Sequence, residues 1–396
     1  MNKIVASVGL AALGASGLQA ASVPGITEDS PNKPWTVSVA LRGFYDDNID
    51  TAPNSQARDS FGFEVSPSAA LAMTWPQTKL SAGYTYSFKY YDRKPIGNTE
   101  NYDQTHNLNL ALDHNFSERF KGGVSDSFVI GQEPDVLRSG NIFETFQRIS
   151  GNNIRNYGSI YFQAQITPLF GVKVSYGNAY FDYSSDQGSL GNPSLSGLLD
   201  RIEHTPSLDT LWTITPETVG VFGYQYRETD YTANEELTIV EHNGEFSTVR
   251  SQDRNFREHY LYVGLDHSFA PNLTGSVRVG GRYVEYYNDP TGSGDGWGPY
   301  AMANLRWTYM PKSYVELGVS HDISATDVAR GGVGSFTTST ESTVVYGSVN
   351  HQFTPKLHGS LLGEFQDSVF QGGDIDSSAE YYYLLGLNFT YQFTPN

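Results

Sequence analysis

The stretch TVVYGSVNHQFTPKLHGSL, residues 343–361, shows the pattern that decides the fold. Val345, Gly347, Val349, His351 and Phe353 alternate with mostly polar or small residues, and this period of two predicts a β-strand with one apolar face. The phrase Phe-Thr-Pro-Lys-Leu then places proline at the second position of a tight turn, where its fixed φ is favourable. The stretch therefore predicts two antiparallel strands joined by a short turn.

The same turn phrase recurs along the chain at intervals of 40 to 55 residues. An internal period of this size indicates repeated supersecondary units that close or stack. Each turn follows an aromatic residue or an isoleucine, and most contain proline. The other examples are Trp75–Gln77, Phe116–Phe120, Ile166–Leu169, Ile214–Glu217, Phe269–Leu273, Tyr309–Lys312 and the final Phe393–Asn396.

The connections at the opposite ends of the strands are long, polar and rich in Asp, Asn, Gly and Ser. Short turns at one rim and long loops at the other are typical of outer-membrane barrels, whose short turns face the periplasm. The predicted long loops are residues 46–60, 92–103, 131–156, 184–205, 229–255, 288–297, 324–340 and 371–378.

The two faces of the strands support a membrane-spanning wall. Leu108, Leu110 and Leu112 share one face of a strand, whereas Asn107 and Asn109 share the other. Because lipid offers no partner for backbone polar groups, such strands must close into a ring. We predict an all-β, transmembrane, antiparallel up-and-down barrel of about 16 strands over residues 35–396, with 14 or 18 as alternatives.

One further hairpin affects that strand count. Residues 237–242 and 245–250 flank Asn243-Gly244, which is a strong signal for a two-residue hairpin turn. The segment lacks an apolar face long enough to span a membrane, so we predict that it belongs to the fifth long loop. If it entered the wall, the barrel would have 18 strands.

The N-terminus predicts export. Lys3 precedes an apolar and small segment, and Leu18-Gln19-Ala20 fits a cleavage site. We expect a signal peptide over residues 1–20, a flexible lead over residues 21–34, and delivery to a bacterial outer membrane.

Composition excludes several classes of function. The formal net charge is -18 and the chain has no cysteine, which argues against nucleic acid as a partner and against thiolate metal sites. The nine histidines accompany no serine-based catalytic motif. We therefore expect no enzymatic activity, no catalytic residues, no metal site and no cofactor.

The last strand carries a family resemblance. Tyr381, Tyr383, Leu385, Leu387, Phe389, Tyr391 and Phe393 share one face. This row resembles the C-terminal aromatic signal that the barrel-assembly machinery of Gram-negative bacteria recognises. The phrase at residues 353–361 is similar to repeats of the putative β-barrel porin 2 family. The resemblance implies a porin-like barrel in contact with outer-membrane lipid and lipopolysaccharide.

The face opposite the apolar rows predicts the lining of the barrel. Many ionisable side chains on one face indicate water inside, because unpaired buried charges are costly. The arginines could form a basic ladder that sets solute preference, or they could form structural ion pairs; the sequence favours neither. The pore-lining candidates are Arg42, Glu64, Lys89, Lys173, Asp266, Arg278, Arg282, Arg306, Glu316 and Glu364.

Two long loops are candidates for narrowing the channel. In general porins, which the arrangement resembles, the third loop folds inward with its acids facing basic wall residues. That would set Glu133, Asp135 and Glu144 against the wall arginines. The fourth loop, residues 184–205, contains Leu195, Leu198 and Leu199 and is the competing lid.

These observations predict a porin-like channel for passive diffusion of small hydrophilic solutes, with saccharides as one class. The alternative is a closed or plugged barrel with a structural or exopolysaccharide-export role. Formation of a homo-oligomer stays open at this point. Lumen tyrosines fit both functions, because their rings could stack on sugars or fill the lumen: Tyr260, Tyr262, Tyr286, Tyr300, Tyr346 and Tyr382.

Overall fold

The computed structural model describes residues 34–47, 49, 57–94, 100–131, 152–184, 188–191, 193–291, 294–326 and 328–393. The expected signal peptide and all of the expected lead except Pro34 lie outside these residues. Within them, no helix is long and apolar enough to cross a membrane.

The sheet is a closed antiparallel barrel, which confirms the predicted fold and its 16 strands. The hydrogen-bonded order around the ring is β1-β18-β17-β16-β15-β14-β13-β12-β9-β8-β7-β6-β5-β4-β3-β2. The strands are β1 Trp35–Asp46, β2 Ser60–Thr74, β3 Thr78–Tyr91, β4 Tyr102–Asn115, β5 Phe120–Gly131, β6 Asn153–Thr167, β7 Phe170–Tyr183, β8 Arg201–Thr215, β9 Thr218–Tyr231, β10 Glu236–His242, β11 Glu245–Arg250, β12 Phe256–Ala270, β13 Leu273–Glu285, β14 Gly296–Met310, β15 Ser313–Ser324, β16 Ser339–Gln352, β17 Leu357–Gln371 and β18 Ala379–Gln392.

In the part of the chain that the structure describes, helical structure lies at the long-loop end. Helix α1 spans Leu195–Leu199, and short 3-10 helices span Ser251–Arg254 and Gly373–Ile375. Strands β10 and β11 form their own two-stranded sheet outside the wall. Their turn has φ of 55° at Asn243 and 85° at Gly244, as an Asn-Gly hairpin requires. The hairpin therefore belongs to the fifth loop, as predicted.

Two of the predicted long loops are shorter than expected because strands extend into them by several residues. Strand β8 begins at Arg201, inside the predicted loop 184–205, and β6 begins at Asn153, inside the predicted loop 131–156. The added residues of β8 pair with both neighbours, for example Arg201 with Phe181 and with Tyr231. Arg201, Glu203 and Thr205 face inward and Ile202, His204 and Pro206 face outward, so the outward row is not consistently apolar and the alternation is weak there.

Exposure alternates along the wall strands. On β12, Leu261 and Val263 are each 53% exposed, whereas Tyr260 is fully buried and Tyr262 is 5% exposed. On β4, Leu108 and Leu110 are exposed and Asn107 is buried. The apolar rows therefore face outward as a lipid-facing belt, and the polar rows face the lumen.

Aromatic residues and histidines meet at the short-turn rim. His114, His267 and His351 each lie edge-on to the phenylalanine two residues later, at 4.5–4.7 Å between ring centroids. The Nδ1 atom of His114 is 2.8 Å from the Thr78 hydroxyl, and His267 makes the same contact with Thr218. Each histidine thus contacts a neighbouring side chain at an interfacial position.

The ring closes between the first and last strands. The register between β1 and β18 runs over six pairs, from Ser38 with Gln392 to Gly43 with Leu387. Beyond Gly43, toward the long-loop end, Tyr383 and Leu385 of β18 are each 79% exposed. The closing contact is thus made by the half of the seam nearest the short turns.

The two faces predict unequal losses of stability when the same substitution is made at adjacent residues. Leu208 of β8 is 45% exposed in the belt, and its neighbour Ser207 faces the lumen. We expect Leu208→Arg to lower the free energy of unfolding by about 2 kcal/mol, because the charge enters lipid. Ser207→Arg should cost much less. Urea titration of protein refolded into lipid vesicles measures both, and equal losses would contradict the assigned faces.

Candidate functional site

The inner face carries all ten predicted lining residues. They lie on nine strands around the ring, opposite the exposed apolar rows. Their positions are Arg42 on β1, Glu64 on β2, Lys89 on β3, Lys173 on β7, Asp266 on β12, Arg278 and Arg282 on β13, Arg306 on β14, Glu316 on β15 and Glu364 on β17.

Three neighbouring strands bring charges together at one level. Arg42, Glu64 and Lys89 are directly paired across β1, β2 and β3. Arg42 and Glu64 form an ion pair. The Lys89 ammonium lies 4.6 Å from the centroid of the Phe44 ring and 4.8 Å from that of Tyr91. A cation held over aromatic faces keeps favourable electrostatics without a full water shell.

A second group lies on the opposite part of the wall. Arg278 Nη2 is 2.7 Å from Asp266 Oδ1, and both side chains are only 3% exposed. Tyr262 donates a hydrogen bond of 2.6 Å to Asp209, which pairs across the strands with Lys173. This group is therefore compensated within the wall itself.

A glycine makes room for the Arg278 side chain. A Cβ atom on Gly264, the cross-strand partner of Arg278, would lie 2.4 Å from Arg278 Cδ. Only glycine lets the arginine lie flat along the sheet toward Asp266. The sequence predicted that both charged residues line the lumen, but it did not predict that they contact each other.

The third group surrounds Arg282 near the long-loop end. Its guanidinium lies 3.8 Å from Glu258 and 3.7 Å from Asp322. Tyr260 donates a 2.9 Å hydrogen bond to Asp322, and Arg227 forms an ion pair with Glu258. Two arginines and two carboxylates thus join side chains from β9, β12, β13 and β15.

The outer end of β15 takes part in this group because it is no longer paired with β14 there. The outermost pair between these strands is Ala301 with His321. Beyond it, the Ile323 carbonyl accepts a 3.1 Å hydrogen bond from Arg227 Nη2. Pro299 of β14 has no N–H to offer at this level. The end of β15 therefore contacts β9 side chains across the lumen.

The arginine ladder consists of ion pairs with unequal exposure. Arg278 and Arg282 are 3% exposed, but the Arg306 side chain is 43% exposed. Arg306 Nη1 is 3.7 Å from Glu316 Oε2, and its guanidinium lies 3.8 Å from the centroid of the Tyr314 ring. Of these three arginines, Arg306 is the one that solvent reaches.

Tyrosines fill part of the lumen beside these groups. The Tyr300 ring lies 5.2 Å from that of Tyr260 and 5.7 Å from that of Tyr262. All three are at most 5% exposed and pack with Leu211 and Val221. The Tyr300 ring packs edge-on against Tyr260 and tilted against Tyr262, so on this side of the wall the three rings fill space.

Glu364 differs from the other acidic candidates. It is 8% exposed, and within the described ranges no basic side chain forms an ion pair with it. Its Oε2 accepts no hydrogen bond. The apolar Leu362 and Leu384 lie nearby on the same inner face, packed with Tyr346.

The fourth loop folds into the outer end of the barrel. Leu198 and Leu199 of α1 pack with Phe181 and Tyr183, whose side chains face inward from β7. Leu237 of β10 joins the same cluster and is fully buried. The predicted competing lid therefore lies inside the mouth, whereas Glu133, Asp135 and Glu144 of the third loop lie outside the described residues.

Three loops meet above this cluster in what we term the loop cap, formed by α1, the β10–β11 hairpin, the 3-10 helix at 251–254, and residues 325–338 except 327. Arg254 is fully buried and donates a 3.1 Å hydrogen bond to the Leu198 carbonyl. It also hydrogen-bonds the Thr326 carbonyl. Phe336 packs with Val240 and Val249 of the hairpin. The sequence carried no periodic signal for these contacts.

Comparison with known proteins agrees with the architecture. Residues 235–396 match the model of the family described as Putative beta-barrel porin 2. This confirms the predicted family resemblance over that part of the chain. No curated protein matches the chain.

Several solved structures are weakly similar to this chain. The CymD monoaromatic hydrocarbon channel has 10% identity and a TM-score of 0.39, over 97% of this chain and 94% of that one. An outer membrane channel from Pseudomonas putida F1 has 10% identity and a TM-score of 0.35, over 93% and 99%. OccAB4 from Acinetobacter baumannii has 11% identity and a TM-score of 0.40, over 92% and 99%.

The buried pair of Arg278 and Asp266 predicts a non-additive response. Asp266→Asn or Arg278→Met alone should lower the free energy of unfolding by about 3 kcal/mol, because each leaves one buried charge without its partner. The double variant should lose clearly less than the sum. Arg306→Met is the exposed control and should cost about 1 kcal/mol or less. Additive losses in a vesicle unfolding titration would show that the pair is not coupled.

Proposed function

We propose that this protein is a porin-like outer-membrane channel for passive diffusion of small hydrophilic solutes. The observation that carries the proposal is the charged inner face of a 16-strand ring, with Arg306 of that face 43% exposed. A ring of this size is wide enough to leave an aqueous passage. The outward apolar rows fit the lipid that such a barrel requires.

The lining favours solutes that both donate and accept hydrogen bonds. Asn304 donates to Glu316 at 2.9 Å and to the Tyr346 hydroxyl at 3.0 Å, next to Arg306. Donors and acceptors thus alternate within a few ångströms on the wall. Polyhydroxylated solutes match such a surface, so we include saccharides among the proposed substrates. Of the ten inner-face candidates, we propose that the exposed Arg306 acts on the solute and that the buried pair of Arg278 and Asp266 holds the wall in shape.

The loop cap and the packed tyrosines limit the size of the solute. Leu198, Leu199 and Leu237 occupy the mouth beside β6 and β7, and Tyr260, Tyr262 and Tyr300 occupy the wall below it. The passage we propose runs past Arg306, which lies on the same strand as Tyr300, six residues nearer the short-turn rim. Large solutes would be excluded by this cross-section.

The cellular setting follows from the same features. We propose export by the signal peptide at residues 1–20, insertion by the barrel-assembly machinery through the aromatic last strand, and residence in the outer membrane of a Gram-negative bacterium beside lipopolysaccharide. No catalytic role, metal or cofactor is part of the proposal.

One observation favours a second function, a closed barrel with a structural or exopolysaccharide-export role. Arg254 holds α1 and residue 326 together from a fully buried position. A cap built around a buried arginine resembles a protein core more than a mobile loop. In this alternative the cap would block the mouth until a partner displaced it.

Conductance tests the diffusion channel. We expect steady single-channel steps from the refolded full chain in a planar bilayer. Arg306→Glu should shift the reversal potential in a salt gradient toward cation selectivity, because it reverses an exposed charge at the passage. Lys356→Glu, in an exposed turn at the short-turn rim, is the charge-matched control. An equal shift from both variants would remove Arg306 from the passage.

The loop cap predicts a second change in conductance. Arg254→Met keeps much of the buried volume but removes both hydrogen bonds to the loop carbonyls. If the cap restricts the mouth, single-channel conductance should rise at least twofold or openings should become longer. If the native protein conducts nothing and Arg254→Met conducts, the closed-barrel alternative is favoured. Unchanged conductance in an open native channel would mean that the cap does not restrict passage.

A further inference from the structure

A polar group interrupts the lipid-facing belt on strands β5, β6 and β7. Asp126, Gly158 and Asn178 are directly paired in a row across these three strands. Asn156 of β6 donates a 2.9 Å hydrogen bond from Nδ2 to Asp126 Oδ1. We call these four residues the Asp126 notch.

The notch faces outward. Val124, two residues before Asp126 on β5, is 46% exposed, and Ile160, two residues after Gly158 on β6, is 52% exposed. Alternate residues of a strand share a face. The register of β5 with β4 and with β6 continues through Asp126 without a shift. No bulge therefore turns the carboxylate inward.

The notch lies within the belt and not at its edge. Asp126 is six residues from Phe120 at the short-turn rim, which corresponds to a height of about 15 Å for a strand tilted by about 40°. An outer-membrane belt is about 25 Å tall. Farther toward the long loops, Ile130 and Ile154 are still 45% and 37% exposed. Apolar side chains thus flank the notch on both sides.

A carboxylate at this depth is costly if only lipid surrounds it. One hydrogen bond from an amide uses only a small part of the hydrogen-bond-accepting capacity of a carboxylate. Within the described part of the chain, the Asn178 side-chain amide makes no hydrogen bond. A Cβ on Gly158 would lie 2.8 Å from Asn178 Oδ1. Glycine at this position therefore leaves space for the Asn178 side chain and adds no side chain between Asp126 and Asn178. Outward acceptors and donors therefore lie side by side without enough partners.

This set is complementary to itself. It offers carboxylate oxygens at one end of the row and an amide at the other, with glycine between them. Two barrels inserted in the same direction and related by a two-fold axis along the membrane normal would present the same patch to each other. The carboxylate of each copy would then meet amide N–H groups of the other, away from lipid. We propose that the Asp126 notch is the contact face between two copies of this chain.

The proposal goes beyond the channel function and does not depend on it. A closed barrel could form the same contact, and a conducting barrel could lack it. The other outcomes are that lipid alone covers the notch or that a different protein does.

Cysteine cross-linking tests the contact, since the chain has no cysteine of its own. Ile160→Cys places a thiol beside the notch. Val345→Cys places one on β16, eight strands away around the ring and 47% exposed. Native outer membranes of cells producing each full-length variant are treated with a flexible bis-maleimide. We expect a product of twice the chain mass at least tenfold more from Ile160→Cys than from Val345→Cys. Monomer alone, equal yields, or a product of another mass would overturn the proposal.

A second variant ties the contact to the carboxylate. Asp126→Leu in the Ile160→Cys background should reduce cross-linking at least tenfold, while the barrel still folds because leucine suits lipid. Folding is checked by resistance of the barrel to unfolding in detergent without heating. Asp367→Leu is the matched control, since Asp367 also faces outward but lies about 25 Å from the short-turn rim at Leu357. Loss of the product in both variants, or in neither, would contradict a contact centred on Asp126.

Discussion

The structure depends on one constraint, which is that backbone N–H and C=O groups inside a membrane must pair with each other. Sixteen antiparallel strands satisfy this by forming a ring, and the seam between β1 and β18 closes it over the half nearest the short turns. Because side chains alternate along each strand, closing the ring separates them into an outer apolar set and an inner polar set. Leu261 and Tyr262, adjacent on β12, show how completely this separation changes the environment of a residue.

The inner set is arranged partly like a protein core and partly like a wet surface. Arg278 lies along the sheet over Gly264 and pairs with Asp266, so its charge is compensated before any solute arrives. Arg306 pairs more loosely and is exposed. Because the buried pairs are already neutralised, a count of charged residues in the lumen overestimates the electric field that acts on a solute. In this account, exposed residues near Arg306 select the solute, and the buried pairs hold the shape of the wall.

Local patterns predicted the wall because its determinants are local. Alternation and the repeated proline turns specified sixteen strands, and Asn243-Gly244 placed the extra hairpin outside the ring. The pairing of Arg278 with Asp266 did not follow from local patterns, because it depends on two strands meeting at a glycine. Local patterns could not predict the loop cap either, since Arg254 contacts carbonyls 56 and 72 residues away in sequence.

The most direct test of the two-faced wall is a spin-label scan of residues 107–112 on β4 in lipid vesicles. Collision rates with lipid-soluble oxygen and with a water-soluble nickel complex are measured for each single-cysteine variant. The account predicts high oxygen and low nickel collision rates at 108, 110 and 112, with the reverse at 107, 109 and 111. Loss of the period of two, or the opposite phase, would contradict the assignment of the outer face to lipid and the inner face to water.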